Sequence, residues 1–168
     1  MNTTPTPELL GRIERDWRTA RPDLDPAPML TVIAVQHTSS LLQAELETFF
    51  AGHGLSPSAF DVLATLRRSA PSEGLTLGEL AARMAVTPPA VTKRVDALTG
   101  RGLVERLPDA VDRRAVRARL TAAGRELVDG LLPQHLANEE QLLAGLSAEE
   151  CQTLRTLLGR IRAGAVTG

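Results

Sequence analysis

Apolar side chains along most of this chain recur every three or four residues, the spacing of amphipathic helices. Between Pro7 and Pro22, the side chains of Leu10, Ile13 and Trp17 fall on one helical face. Proline is favoured at the first position of a helix and cannot be accommodated in its interior. The pattern therefore predicts a first helix between these two prolines.

Three further helices are predicted before the middle of the chain. A long apolar pattern predicts a helix over 29–51, and Ser56 followed by Pro57 marks the start of another. Thr76 and Glu79 have the spacing of a capping box, in which each side chain accepts a hydrogen bond from the other residue's backbone amide. That box predicts the start of a short helix.

The next helix follows almost at once. The short helix is predicted to end at Met84, and Thr87 with Pro88 opens another helix three residues later. Two short helices joined by a tight turn are typical of a helix-turn-helix. Two short strands, over 103–107 and 115–120, then flank a polar turn, which predicts a β-hairpin wing.

The end of the chain is predicted to be helical. Thr121 caps a long helix that contains Pro133, and Ser147 with Glu150 forms a second capping box before a helix that ends at Gly164. The sequence therefore predicts a mainly α fold with a small β-hairpin wing, a winged helix-turn-helix inside a helical frame. The predicted domains are N-terminal helices over 1–54, a winged helix-turn-helix over 55–121 and C-terminal helices over 122–168.

Composition narrows the class of protein. With 43% hydrophobic residues the chain can build a core, but its apolar runs are too short to span a membrane. No secretory signal is visible at the N-terminus, and the lone Cys151 fits a reducing cytoplasm, where we expect the protein to act. No catalytic constellation or phosphate loop is visible, and His37, His53 and His135 lack metal-ligand spacing. We therefore predict neither an enzyme nor a bound cofactor or metal.

The distribution of charge points to a nucleic-acid partner. The chain has 19 basic and 20 acidic residues, a balance that at first argues against DNA binding. Residues 93–120, however, hold eight basic and four acidic side chains, and the remainder of the chain has a net charge of −5. A segregated basic segment is typical of a DNA-binding surface, although a solvated charged hairpin would have the same composition.

The helix after Thr87 has a buried stripe and a face for the major groove. On a helical projection Val95 and Leu98 lie within about 40° of Val91, and the three side chains predict the buried stripe. The N-terminal residues of such a recognition helix contact base edges, and its free amides can reach phosphate together with Thr87. The predicted outward face carries Pro89, Lys93, Asp96 and Ala97, with Ala90 and Thr92 at its edges.

The turn of the predicted wing carries a second candidate DNA contact. Asp112 stands two residues before Arg114, so its carboxylate can hold that guanidinium extended, a geometry that suits a narrow minor groove. An exposed loop rich in charge is the alternative interpretation, and the preceding helix-turn-helix favours the wing. The predicted DNA-binding residues are Thr87, Pro89, Ala90, Thr92, Lys93, Asp112, Arg113 and Arg114.

These motifs together resemble the MarR-type (multiple antibiotic resistance regulator) family of winged-helix regulators. The resemblance implies a homodimer, held by helices from both ends of the chain, that binds a palindromic DNA operator with half-sites about one turn apart. The segments that carry it are Leu77–Ala81, Val91–Leu98, Gly102–Arg106, Asp112–Arg114 and Leu120–Gly124.

Within that family, the extra N-terminal helix is similar to the urate-responsive branch, which contains repressors associated with uricase and purine genes. The resemblance implies a ligand site formed by Trp17, Asp61, Arg94 and Arg106. Taken alone, Trp17 is more typical of a packing anchor, and Arg106 of a surface charge. Asp61 shares a helical sector with Thr65 and Arg68, which favours a solvated carboxylate.

The expected mechanism is a competition between the effector and Asp61 for the guanidinium group of Arg106. Asp61 and Arg106 can pair when the site is empty, and a flat anion would compete for the arginine and repel Asp61. Arg94, which is on the recognition helix, would then transmit a shift to that helix. Phenolic or other aromatic carboxylates remain an alternative class of effector. Less favoured alternatives are oxidation of Cys151 and a winged helix that binds only protein.

Overall fold

The fold is described from a computed structural model, which covers residues 7–69, 72–109, 112 and 115–166. Its contacts divide between Pro57 and Ser58 into two compact units. The first unit contains α1 (Pro7–Ala20) and α2 (Ala27–Ala51), both close to their predicted bounds. These two helices pack against each other.

The second unit begins with three helices, of which the last two form the predicted helix-turn-helix. These helices are α3 (Pro57–Ser69), α4 (Leu77–Met84) and α5 (Pro88–Gly100). The predicted capping box is present at the start of α4, where the Glu79 amide donates to Thr76 Oγ1 and the Thr76 amide donates to Glu79 Oε2. Ala85 ends α4 in the left-handed conformation, with φ of 53°.

The wing is part of a three-stranded antiparallel sheet of order β1-β3-β2. The predicted hairpin is confirmed as β2 (Val104–Pro108) paired with β3 (Val116–Leu120), with Arg106 opposite Ala118. A two-residue strand, β1 (Leu75–Thr76), pairs with the other edge of β3. The sequence did not predict β1, because two residues carry no periodicity and their pairing depends on a distant strand.

Two long helices complete the second unit. Helix α6 (Ala122–Leu142) is capped by Thr121, whose hydroxyl accepts from the Gly124 amide at 3.0 Å, and it continues through Pro133. Helix α7 (Ala148–Val166) begins at the predicted second capping box, in which the Glu150 amide donates to Ser147 Oγ at 3.2 Å.

The core of the second unit lies where α3, α4, α5 and the sheet meet, with one side of α6 added to it. Its most deeply buried large side chains include Leu63, Leu80, Val91, Val104 and Val128, each at most 1% exposed. Across the part of the chain that the structure describes, no helix is long and apolar enough to cross a membrane. The fold is mainly helical with a small sheet, as the sequence predicts.

Candidate nucleic-acid interface and effector site

Helix α5 presents one buried and one open face, as its periodicity predicts. Val91 and Val95 are fully buried and Leu98 is 1% exposed, which seats the helix on the core. On the opposite side, Pro89, Lys93, Asp96 and Ala97 are exposed, and Ala90 and Thr92 are half-buried at the edges. The orientation of α5 thus leaves a polar face available for a groove of DNA, and contact with DNA stays a prediction.

The start of α5 offers fewer amides than a typical helix N-terminus. Pro88 and Pro89 lack a backbone N–H, so Ala90 is the first residue of the helix that has one. The N-cap residue Thr87 is exposed, and its side chain makes no capping hydrogen bond within the described structure. Its hydroxyl group is therefore available to an external acceptor such as a phosphate.

Lys93 is the most accessible cation on the open face of α5. Its side chain is exposed, and within the described ranges it forms no hydrogen bond or ion pair. Thr92, beside it, donates its hydroxyl proton to the carbonyl of Pro88 at 3.0 Å and keeps only acceptor capacity. The open face therefore combines one free ammonium group with small side chains that permit close approach of a partner.

An ion pair joins this face of α5 to the wing. Arg106 Nη1 on β2 donates to Asp96 Oδ1 on α5. The expectation that Arg106 pairs with Asp61 is therefore wrong. Because β2 packs directly against α5, the nearest carboxylate to Arg106 is on the recognition helix.

Asp61 has a different environment from the one expected. It is half-buried, and it accepts a hydrogen bond from Thr65 Oγ1 at 3.5 Å. Thr65 is fully buried, so the helical sector that these two residues share turns partly into the core. The Asp61 carboxylate is therefore only partly exposed to solvent, because a threonine side chain in that sector does not mark an exposed face.

The other two candidate effector residues, Arg94 and Trp17, lie on α5 and α1. Arg94 is half-buried, in agreement with its predicted position nearer the protein than the groove, and it makes no hydrogen bond or ion pair to any residue described. Trp17 is 41% exposed on α1 and therefore offers an aromatic surface. Trp17 belongs to the first unit and the other candidates to the second, so a site that combines them stays a prediction.

The base of the wing is held by a charge pair that the sequence did not predict. The side chain of Asp109 is 6% exposed and accepts from Arg117 Nε, and its other oxygen accepts from the Asp112 amide at 2.8 Å. The hydrogen bond to Asp109 raises the pKa of the Arg117 guanidinium above its ordinary value. Asp109 stands at the start of the wing turn, and an aspartate that accepts from an amide three residues later is a turn-forming signal that could have identified it.

The predicted contacts at the wing tip are only partly described. Asp112 is exposed, and its amide is held by Asp109. Arg113 and Arg114 lie outside the described residues. Their contact with the minor groove stays a prediction.

Comparison with known proteins places this geometry among transcriptional regulators. Residues 53–115 match the model of the MarR family. Over 149 residues the chain is 36% identical to the HTH-type transcriptional regulator PecS of Dickeya dadantii, across 89% of this chain and 90% of that protein.

Two solved structures show the same architecture. AbsC, a MarR family transcriptional regulator from Streptomyces coelicolor, aligns with a TM-score of 0.76 at 22% identity, over 86% of this chain and 98% of that one. A mutant MarR from E. coli complexed with operator DNA aligns with a TM-score of 0.66 at 25% identity, over 86% and 96% of the two chains. The likeness to AbsC shows a shared fold.

Proposed function

Because this chain belongs to the MarR family of DNA-binding transcriptional regulators, and is not an enzyme, we propose that it represses transcription as a homodimer on a palindromic operator. We further propose that a small aromatic anion, for which urate is the first candidate, releases it from DNA. The observation that carries the proposal is the open face of α5 with the free ammonium group of Lys93, in a segment (residues 93–120) that holds eight basic and four acidic side chains.

The charge distribution supports DNA as the partner. Residues 93–120, which contain most of α5 and the wing, carry a net charge of +4 although the whole chain carries −1. Such segregation concentrates positive potential where phosphates would lie and keeps the remainder of the protein off the duplex. The related E. coli MarR, complexed with operator DNA, has the same fold at 25% identity.

The surface of α7 supports a homodimer. Leu154, Leu157, Leu158 and Ile161 are each at least 40% exposed and follow helical spacing, so they form one apolar stripe. Helix α7 has no buried residue within its described part, and α6 also exposes Leu132 and Leu136. Apolar surface of this extent marks an interface, and self-association by a two-fold axis would cover it.

A flat anion matches the chemistry of the four candidate effector residues. Trp17 has exposed aromatic surface for stacking, and the guanidinium groups of Arg94 and Arg106 can neutralise and orient an anion. Arg94 lies on α5, so an effector held by it would bias the recognition helix directly. DNA and effector would then select different conformations, and each would weaken the binding of the other.

The test begins with selection of a DNA duplex by the 168-residue chain from a random pool, followed by measurement of its affinity by fluorescence anisotropy. We expect a palindromic consensus and an affinity that falls steeply with salt. Lys93→Ala should weaken binding about tenfold, while Arg160→Ala on α7 serves as the control and should not. Failure to recover any duplex would contradict DNA binding.

The effector is tested by titrating urate, xanthine, hypoxanthine and salicylate into the protein–DNA complex. We expect urate to release the DNA and to raise the melting temperature of the free protein. Trp17→Phe, Asp61→Asn and Arg106→Ala should each reduce that response. Release by salicylate alone would identify aromatic carboxylates as the effector class, and variants that all respond like the wild type would refute the four-residue site.

A further inference from the structure

Asp96 places a negative charge on the face of α5 that is otherwise suited to DNA. It lies three residues after Lys93 on the open side of the helix, and its side chain is 54% exposed. A carboxylate at this position would face a duplex that carries one negative charge per about 1.7 Å of its axis. A cationic partner for Asp96 therefore lowers the cost of bringing α5 against a groove.

Arg106 supplies that compensation. The guanidinium of Arg106 reaches from β2 to Asp96, and within the part of the chain that the structure describes each of these side chains has the other as its partner. The Arg106 side chain is 33% exposed, so the pair lies at the surface, where an incoming anion can reach it. The pair is neutral as long as it stays intact.

We propose that Asp96 is the residue that converts occupation of Arg106 by an anion into loss of DNA affinity. An anion that takes the guanidinium leaves Asp96 uncompensated on the face presented to DNA, and the carboxylate then repels the phosphates. This deepens the proposed function and rests on it, because it requires that α5 faces DNA and that the effector meets Arg106. No movement of the helix backbone is required, which distinguishes this route from a shift transmitted through Arg94.

The effect has a definite sign and size. Two like charges about 4 Å apart in water repel with an energy that corresponds to about a fivefold change in an equilibrium constant. Both groups are accessible to solvent, so salt screens the repulsion. We therefore expect an uncompensated Asp96 to weaken DNA binding about fivefold at low salt and by less as salt increases.

A double-mutant cycle without any effector tests the charge compensation. Wild type, Asp96→Asn, Arg106→Ala and the double variant are measured against the selected duplex and against a random duplex of the same length. We expect Arg106→Ala to bind about fivefold more weakly and Asp96→Asn to bind at least as tightly as the wild type. The double variant should return to within about twofold of Asp96→Asn, and Arg106→Lys should retain wild-type affinity.

The controls separate this effect from folding and from direct DNA contact. Arg119→Ala removes a similarly exposed pair in the same hairpin, between Arg119 Nε and Glu105 Oε1 at 2.8 Å, and should show no coupling with Asp96→Asn. Thermal melts confirm that each variant is folded. If the double variant binds as weakly as Arg106→Ala, then Arg106 acts on DNA directly and the proposal is overturned.

Addition of urate distinguishes the failure of this proposal from that of the proposed function. If urate releases the wild type but releases Asp96→Asn to the same extent, the effector stands and the role of Asp96 is overturned. If urate has no effect on the wild type while the cycle still shows coupling, urate is the wrong effector and the charge compensation stands. If no duplex is selected at all, both fail together.

Discussion

Arg117 Nε donates to the nearly buried carboxylate of Asp109, and this pair joins the last strand of the sheet to the base of the wing. Arg117 Nη1 reaches onward to the carbonyl of Gly74, just before β1, at 2.9 Å. One arginine thus links the two ends of the wing turn and joins them to a segment 43 residues earlier in the chain. Arg117 Nη1 also lies 4.0 Å from Glu79 Oε2 on α4. The Arg117 side chain therefore supplements the buried apolar residues Val104 and Ala118, which seat the hairpin on the core.

Substitution of Asp109 should destabilise the protein. Asp109→Ala removes the acceptor of the Asp112 amide and leaves Arg117 without its nearest counter-charge, so we expect a loss of about 2 kcal/mol in the free energy of unfolding. Urea unfolding at fixed protein concentration measures it. Asp23→Ala serves as a control, because the Asp23 pair with Arg21 is exposed and should contribute no measurable stability. Equal midpoints for the two variants would contradict a structural role for Asp109.

The capping box of α4 should make stability depend on pH. The Glu79 carboxylate accepts hydrogen bonds from the Thr76 amide and from the Thr76 hydroxyl. These bonds, the amide bond foremost, lower its pKa from the ordinary value of 4.5. Because the pKa of Glu79 is lower in the folded state, the contribution of its carboxylate to stability is complete above about pH 4.5 and is lost as the pH falls below it.

Glu79→Gln should therefore flatten the acid side of the stability profile, measured by thermal melts from pH 6 to pH 3. Glu126→Gln is the matched control, since Glu126 makes no hydrogen bond to the residues described here. A Glu79→Gln profile parallel to that of the wild type would contradict the prediction.

Two glycines of α6 should respond to alanine with opposite signs. A Cβ atom on Gly124 would lie 2.0 Å from the carbonyl oxygen of Leu103, so the first turn of α6 would have to move away from the wing. We expect Gly124→Ala to cost about 2–3 kcal/mol. Gly130→Ala meets nothing within 4 Å and should stabilise the helix by about 0.5–1 kcal/mol. Urea unfolding of both variants checks the difference in sign.

The apolar stripe of α7 should be required for dimerisation. Leu157→Asp places a charge at its centre and should convert the protein to a monomer, as measured by sedimentation velocity. Thr156→Asp adds the same charge on the opposite side of the helix and should leave the dimer intact. A dimeric Leu157→Asp variant would place the interface elsewhere.

Local signals in the sequence predicted most of the elements. Proline at the start of α1 and α3, and the capping boxes at α4 and α7, are interactions within one turn, so they can be recognised without knowledge of the fold. The buried stripe of α5 followed from periodicity for the same reason. Strand β1 was missed because its two residues are ordered by pairing with β3, more than 40 residues away.

The sequence by itself therefore determined the helices, the hairpin, the segregation of charge and the outward face of α5, since each depends on neighbouring residues or on composition. Only the tertiary structure decided which charges meet. It paired Arg106 with Asp96 rather than Asp61, and it buried Asp109 against Arg117, because ion pairing depends on how strands and helices pack. A charged side chain pairs with an opposite charge that lies close to it in the folded chain, and no local sequence pattern encodes that distance.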